Sequence, residues 1–519
     1  MAEGKGSILW VDDEIDLLKS QIMFLEERGY TVTPVANGED AVGMVEEGSF
    51  DLVLLDQMMP GLDGLSTFMK IKDIKPSIPV VMITKMEEEE LIDEALRKRI
   101  DDFLLKPVNP VQILSAARRI LESRSIREHE LSREFVDEFN RIEDLKAGAR
   151  DWKDWLNIHR ALSEWDVLLD SFPDSGLMQS HLDQRKQCNV EFCMYVEQAY
   201  GGWTRDGDRP PLSVDVMASF VAPHLSAGKK VYFVVIDCLR LDQWLAIRPM
   251  LEPYFSIDAD YYYSILPTAT PYSRNAIFAG LFPSEIAESC PEYWDESAGE
   301  ESGRNRYERQ LMERQLKKMG IKVTPSPKYL KIYTADEAIQ ARKHIPTLRN
   351  VPLVSLVFNF VDIVAHSRSE SVVLQEMLPD ESAYRSFTKS WFAHSPLLDI
   401  LKAVSAQDAV VVLTTDHGSV LGRRSAVALG DRETSTNVRY KYGTNLNCDS
   451  RQAVRLKDPL DFKLPRGGVN KNYIIAKEDY YFVYPTNFHE YERHYRDSFQ
   501  HGGISMEEMI LPCVTMRPK

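Results

Sequence analysis

The sequence predicts an α/β multidomain chain in three parts. A doubly wound α/β domain occupies residues 1–122, an α-helical bundle linker residues 123–225, and a larger α/β domain with a central sheet residues 226–519. Three observations predict this. Apolar runs alternate with amphipathic stretches up to residue 122, the pattern of repeated βα units around a parallel sheet. Strand signals vanish between 123 and 225. Beyond 226 β-branched runs return, and three of them lead into an aspartate.

Bulk properties fit this division. A chain of 519 residues is long enough for about three domains of ~150 residues. It is 44% hydrophobic and 27% charged, and no apolar run reaches the roughly 20 residues that span a bilayer. The start, "MAEGKGSILWVDDE", lacks a charged segment followed by an apolar one, so a cytoplasmic location without membrane insertion is expected. Cys188, Cys193, Cys238, Cys290, Cys448 and Cys513 are scattered without a CxxC pair, as in reduced thiols. A net charge of −17 argues against duplex DNA binding, which needs clustered Lys and Arg.

In the first domain, "SILWVDDE", "TVTPVA", "FDLVLLD", "IPVVMITK" and "DDFLLKPV" read as strands. "DLLKSQIMFLEERG", "GEDAVGMVEEG" and "EEEELIDEALRKR" read as the helices between them. Ligands of such sheets sit beyond the carboxyl ends of the strands. There the sequence places Asp12, Asp13, Asp56, Thr84 and Lys106. The acids suit a hard cation such as Mg²⁺. Asp56 can act as a nucleophile, and Lys106 can neutralise phosphoryl oxygens.

These residues, with "LLDQMMPGLDG" around Asp56, Phe103 and Lys106-Pro107, resemble the receiver domain of two-component response regulators. The resemblance implies that Asp56 accepts phosphate from a sensor histidine kinase. It implies a Mg²⁺ held by Asp12, Asp13, Asp56 and the Met58 carbonyl, and a cis Lys106–Pro107 bond. Thr84, Phe103 and Lys106 would form the conformational switch. Lys85 departs from the family, which usually has a small residue there. In many receivers the face over 87–122 dimerises on phosphorylation. Here that face carries Arg97, Arg118 and Arg119 beside Asp101 and Asp102.

The middle segment reads as helices. Trp152, Trp155, Leu156, His159, Leu162 and Trp165 recur at helical spacing, a packing stripe in which His159, like His181 further on, is an ordinary helix residue. Further helices are expected over 177–199 and 213–226, separated by the breaker "GGWTRDGDRPP".

In the last domain "KKVYFVVIDC" reads as a strand ending in Asp237, "VPLVSLVFNFVDIVAH" as one ending in Asp362 with His366 four residues on, and "AVVVLTTDHG" as one ending in Asp416 and His417. His501 lies in "QHGGISMEEMILP". Mixed carboxylate and imidazole donors suit Zn²⁺ or Mn²⁺ better than Mg²⁺ or Ca²⁺. In "PTATPYSRNAIFAG", Thr270-Pro271 has the form of a helix N-cap followed by N1. A hydroxyl there can act as a nucleophile if a metal lowers its pKa. Thr268 is the alternative, and His489 and His494 are read as surface histidines rather than ligands.

This order of residues resembles the alkaline phosphatase superfamily, and "TPYSRNAIFAG" with "HGGISMEEMILP" resembles its PglZ-type branch. The resemblance implies two Zn²⁺. One is bound by Asp237, Asp416, His417 and the Thr270 oxygen, the other by Asp362, His366 and His501. Arg274 and Asn275 become candidates for holding the substrate phosphate. Residues 285–345 read as a solvated insertion or a lid, and the basic tract over 430–472 (Arg432, Arg439, Lys441, Arg451, Arg455) as a solvated face or a polyanion contact.

The domain order resembles PorX-type response regulators. It implies a zinc phosphoesterase, most plausibly a phosphodiesterase of linear or cyclic oligonucleotides, acting in signalling to type IX secretion. It also implies a phosphorylation-dependent homodimer. The alternative is a non-enzymatic adaptor that binds a sigma factor, a sensor or a secretion-system partner, with a structural metal site.

Overall fold

The computed structural model describes residues 5–85, 100–205, 208–294, 304–430, 435, 437–466 and 471–519. By its contacts the chain divides into two compact units: Met1–Glu138 with Ser171–Leu177, and Phe139–Asp170 with Met178–Lys519.

The first unit is built on a parallel sheet of β1 (Ser7–Val11), β2 (Thr31–Val35), β3 (Leu52–Asp56), β4 (Val80–Thr84) and β5 (Asp102–Leu105), in the order β2-β1-β3-β4-β5. Alternate residues face opposite layers. Leu9, Val11, Val53 and Leu55 pack on one side, and Ile8, Trp10, Leu52 and Leu54 on the other. Helices α1 (Lys19–Glu26), α2 (Gly38–Glu47) and α3 (Gly64–Ile74) follow β1, β2 and β3. Asn37 and Asp63 cap α2 and α3 by accepting from the Asp40 and Ser66 amides at 2.8 and 2.7 Å. The chain leaves β1 on one side for β2 and crosses to β3 on the other, so a crevice opens at the carboxyl ends of β1 and β3. The helix expected over 87–98, with Arg97, lies outside the described residues. The last helix, α4, runs unbroken over Pro110–Gly148.

The second unit holds α5 (Trp152–Leu169), α6 (Met178–Trp203) and a six-stranded mixed sheet. Its strands are β6 (Lys230–Ile236), β7 (Phe255–Tyr263), β8 (Lys328–Ile332), β9 (Leu353–Phe358), β10 (Ala409–Thr414) and the chain's last strand, Ile510–Pro518. The order is β7, last strand, β10, β6, β9, β8. β10, β6, β9 and β8 are mutually parallel, whereas the last strand runs antiparallel to both β10 and β7. The carboxyl ends of β6, β9 and β10 therefore share one edge. Between β10 and the last strand, short strands form small two- and three-stranded sheets.

Three sequence-based expectations are corrected here. The β9 strand stops at Phe358, so Asp362 does not end it: Asp362 and His366 both lie on helix α10 (Phe360–Arg368). Their four-residue spacing puts them on one face of that helix. Helix α6 extends to Trp203, past the first residues of the expected breaker. The described parts of 285–345, residues 285–294 and 304–345, are not a solvated excursion. β8 pairs with β9, and a helix over Glu308–Lys318 buries Leu311, Met312 and Leu316. That helix also turns Glu308 and Gln315 inward, and the polar character of its buried face hid it from a hydropathy reading. The expected linker helices are present, and α5 and α6 also pack on the domain that follows them. Trp155, Ile158, Phe192 and Val196 share one apolar core with Tyr263, Ile265, Leu266, Ile504, Met506 and Met509.

That shared core predicts the behaviour of fragments. A fragment of residues 226–519 would leave those six residues facing water, a loss of about 5 kcal/mol or more at ordinary burial energies. It should bind a hydrophobic dye and melt well below a fragment of residues 139–519. Equal melting temperatures would show that the helices contribute no stability to the sheet.

Candidate phosphoacceptor and metal sites

In the first unit Asp12 follows β1 and Asp56 ends β3, and both side chains are buried while Asp13 is exposed. Carboxylate oxygens of the three lie within 4.8 Å of one another. Lys106 reaches in from the end of β5, with Nζ 2.8 Å from Asp56 and 3.2 Å from Asp12. Lys106–Pro107 is cis. Met58 stands in the turn after β3 with its side chain exposed. Thr84 is buried and donates to Gln57 Oε1 at 2.5 Å, while Phe103 is half-buried on β5 and Lys85 is exposed. A Cβ at Gly64 would stand 2.2 Å from the Asp56 carbonyl, so the turn behind Asp56 admits only glycine. Burial raises the Asp56 carboxyl to about 6; Lys106 opposes this, and Asp12 and Asp13 add to it. Clustered carboxylates of this kind suit a divalent cation with oxygen ligands.

In the second unit Asp237 follows β6, and Asp416 and His417 follow β10. His501 comes forward from the loop ahead of the last strand. Thr270 Oγ1 lies 3.0 Å from His417 Nε2 and 3.5 Å from Asp237. His366 Nε2 is 2.9 Å from His501 Nε2 and 3.4 Å from Asp362. Two overlapping donor groups result: Asp237, Asp416 and His417, and Asp362, His417 and His501. His417 belongs to both, so the two expected ligand sets lie side by side.

The donors fit metal ions on their own chemistry. Both Asp416 carboxylate oxygens, Asp362 Oδ1 and His501 Nδ1 are buried without a hydrogen-bond partner, which is costly unless something else satisfies them. Burial pushes the Asp237 carboxyl well above its usual range; Arg274 opposes this, while Asp416 and Asp362 reinforce it. At Asp362 burial acts the same way, but the His366, His501 and His417 rings outweigh it and hold the carboxyl below its usual range. Burial and the His417 ring keep the His501 imidazole well below its usual range, and thus neutral, the form that binds metal.

Thr270 opens helix α8 of this unit, Thr270–Ala279, as its first residue. The N-cap is Ala269, in extended conformation, rather than Thr270 as the Thr-Pro pair suggested. Thr268 is committed elsewhere. Its hydroxyl donates to Gly503 O at 2.8 Å and accepts from Gly502 N at 3.1 Å. His489 and His494 lie exposed on the helix over Phe488–Tyr495.

Residues 216–516, more than half of the chain, match the family model described as the BREX system PglZ alkaline phosphatase-like domain. The chain belongs to the PglZ alkaline phosphatase-like family. Residues 8–118 match the response regulator receiver domain and residues 125–204 the PorX response regulator linker domain. That order is the one found in PorX-type regulators. Among curated relatives, ResD of Bacillus subtilis, a transcriptional regulatory protein, is 33% identical over 118 residues, 23% of this chain and 49% of the relative. ZraR of Salmonella typhimurium, also a transcriptional regulatory protein, is 38% identical over 109 residues, 21% of this chain and 25% of the relative. The chain thus spans half or less of the length of these two. A CheY-like receiver domain protein from Methanospirillum hungatei is 27% identical, covers 23% of this chain and 97% of its own, and has a TM-score of 0.22. The NtrX receiver domain of Brucella abortus is 32% identical, covers 22% and 98%, and has a TM-score of 0.21.

Around the PglZ site the two candidate phosphate-holding residues are already engaged. Arg274 is fully buried and donates to Asp237 at 2.5 Å, Glu308 at 2.6 Å and Asn359 at 3.0 Å. It therefore neutralises carboxylates instead of offering a free fork. Asn275 donates to the Pro271 and Arg304 carbonyls, away from Thr270 Oγ1. Residues not singled out in the sequence do shape the site. Asn305 donates to the Thr270 carbonyl at 3.0 Å, and Glu308 holds Arg274, Lys331 and Asn305 together. Within the basic tract, Arg439 is buried in a bidentate pair with Glu508, Lys441 is buried, and Arg451 and Arg455 are exposed, while Arg432 lies outside the described residues. The acidic pair in "MEEM" just after His501 was the available signal for Glu508.

The raised Asp56 pKa carries a pH signature. The folded form binds a proton more tightly than the unfolded chain, so stability from this group is complete below about pH 4 and is lost as pH rises to about 6. Without Mg²⁺, Asp56→Asn should stabilise the receiver at pH 7.5 by on the order of 1 kcal/mol, after allowance for solvent screening, and by little at pH 4.5. Urea unfolding at both pH values measures this. An equal effect at both would contradict it.

Proposed function

We propose that the chain is a response regulator phosphorylated on Asp56 by a sensor histidine kinase, whose PglZ domain is a two-zinc phosphoesterase. The observation that carries this is the position of the Thr270 hydroxyl, 3.0 Å from His417 and 3.5 Å from Asp237, at the start of a helix and beside orphaned metal donors. In this reading Asp237, Asp416, His417 and Thr270 hold one ion, and Asp362, His366 and His501 the other. The receiver's Asp12, Asp13 and Asp56, with the Met58 carbonyl, hold Mg²⁺. The zinc ions, when bound, lower the pKa of the hydroxyl and stabilise charge on the attacking and leaving oxygens.

The chain's own part is to aim and to exclude. Thr270 Oγ, its proton passed to water, forms a bond to phosphorus as one ester oxygen departs and takes a proton from solvent, leaving a threonyl phosphodiester whose Oγ–P bond water then cleaves. Asn305 fixes the Thr270 carbonyl, and Arg274, held by Glu308, fixes Asp237. Because Arg274 is taken up by carboxylates, the site suits a singly charged phosphodiester better than a dianionic monoester. Linear or cyclic oligonucleotides are the diesters we favour, with type IX secretion as the output the PorX-type arrangement points to. No described helix is long and apolar enough to cross a membrane.

Control by phosphorylation follows from the receiver. Arg119 pairs with Asp102, Arg118 lies 3.3 Å from Glu122, and Asp101 bonds to Lys72 at 3.0 Å. A homodimer across β5 and α4 would exchange such pairs, each worth about 0–1 kcal/mol, between protomers.

Thr270→Ala should lower diesterase turnover by roughly a thousandfold or more while both metals stay bound. Retained activity there with loss in Thr268→Ala would identify the wrong threonine. Inactivity of the metal-loaded wild type toward monoesters, linear diesters and cyclic dinucleotides alike would favour an adaptor that binds a sigma factor or secretion-system partner. Beryllofluoride should shift sedimentation from monomer toward dimer, and Asp56→Ala should abolish the shift. An unchanged mass with bound beryllofluoride would rule out control by dimerisation.

A further inference from the structure

Helix α6 belongs to the linker by sequence, yet one of its faces lies against the segment that follows His501. Arg185, Asn189 and Cys193 recur every four residues and so form a single stripe on that helix. All three are buried. Cys193 Sγ donates to the Ile504 carbonyl at 3.0 Å. Asn189 Oδ1 accepts from the Met506 amide at 2.8 Å. Asn189 Nδ2 donates to both Glu507 carboxylate oxygens, at 3.1 and 2.9 Å. Arg185 Nε stands 3.3 Å from the same carboxylate. One amide side chain thus holds a backbone donor and a carboxylate of consecutive residues.

The segment held in this way touches both ligand-bearing loops. A Cβ at Gly418 would stand 2.0 Å from the Glu507 carbonyl oxygen, so backbone meets backbone directly behind His417. Gly418 N donates to the Glu508 carbonyl at 3.2 Å. Gly503 N donates to Glu508 Oε1 at 2.8 Å, two residues after His501. The His417 and His501 rings are stacked, with centroids 4.1 Å apart. A shift of residues 504–508 would therefore move both imidazoles. The surrounding groups oppose such a shift on the α6 side. Arg185 also reaches Glu381 at 2.8 Å, and Glu381 pairs with Arg240, three residues after Asp237.

We propose that Asn189, flanked by Arg185 and Cys193, is a positioning residue of the phosphoesterase site, so that linker helix α6 sets where His417 and His501 stand. This rests on the two-metal reading above. It gives the linker a role at the site itself: without that stripe the loop behind both imidazoles loses its outer support. Groups that support ligands indirectly commonly change metal affinity by 10–100-fold when removed.

The test is titration of the full-length, metal-stripped chain with Co²⁺, followed through its visible absorption bands. Wild type should take up two equivalents in the PglZ domain. Asn189→Ala should bind at least one of them tenfold or more weakly, with displaced bands. A residue that only packs would lower the melting temperature and leave the bands in place. Asn189→Asp sets a carboxylate against Glu507 and should weaken binding further. Adding Glu507→Gln exchanges donor and acceptor across the same contact and should restore affinity and bands, which decides the matter even if Asn189→Ala fails to fold. Wild-type Co²⁺ affinity and bands in a folded Asn189→Ala chain would overturn the proposal, as would a double variant no better than Asn189→Asp. Less than one equivalent bound by wild type would instead overturn the two-metal reading, and the positioning role with it.

Discussion

Asp237, Asp362 and Asp416 crowd together with His366, His417 and His501 beside Thr270, and all of these but Asp362 and His366 are buried. Like charges buried together repel, and each unpartnered oxygen forfeits its hydration. Much of the second unit can be understood as an answer to that crowding. Arg274 supplies a fixed positive charge against Asp237, and Glu308 holds Arg274 from behind. Glu308 in turn draws in Lys331 and Asn305 from the segment beyond helix α8. On the far side, Arg439 and Glu508 close a bidentate pair beside the glycines after His501. Metal ions would complete the compensation, because orphaned Asp416 and Asp362 oxygens are the groups that a dication satisfies.

In the proposed reading both units serve phosphoryl transfer, and they share one architectural device. Parallel strands deliver acids to one sheet edge, where hydrogen-bonding capacity and open space coincide. In the receiver, Asp12 and Asp56 flank the crevice between β1 and β3, and Lys106 crosses from β5. In the PglZ domain, Asp237 and Asp416 leave neighbouring parallel strands. The difference lies in the nucleophile. A carboxylate whose charge is already discouraged, as burial does to Asp56, suits a transient acyl phosphate. A hydroxyl set beside an imidazole and a carboxylate suits ester cleavage once a metal lowers its pKa.

The sequence was most legible where chemistry and periodicity coincide. The acids at strand ends, the DxxxH spacing of Asp362 and His366, and the Asp416-His417 pair could all be read because their residue types are rare in apolar surroundings. What escaped was polar structure turned inward. Glu308, Asn305 and Gln315 look like surface residues in a charged stretch, and only the contacts they make show them buried. Arg439 looked like part of a basic face for the same reason. Asp362 looked like a strand terminus because the apolar run continues into helix α10 without a break. That helices α5 and α6 pack on the domain that follows was not legible, because amphipathic periodicity reports a buried face and not which partner covers it.

Anomalous scattering from crystals of the zinc-loaded chain, recorded on both sides of the zinc absorption edge, tests the central claim most directly. The account predicts two zinc peaks in the PglZ domain, one against Asp237, Asp416, His417 and Thr270 and the other against Asp362, His366 and His501. A single peak closed by four protein ligands, or no peak at these side chains, would contradict it.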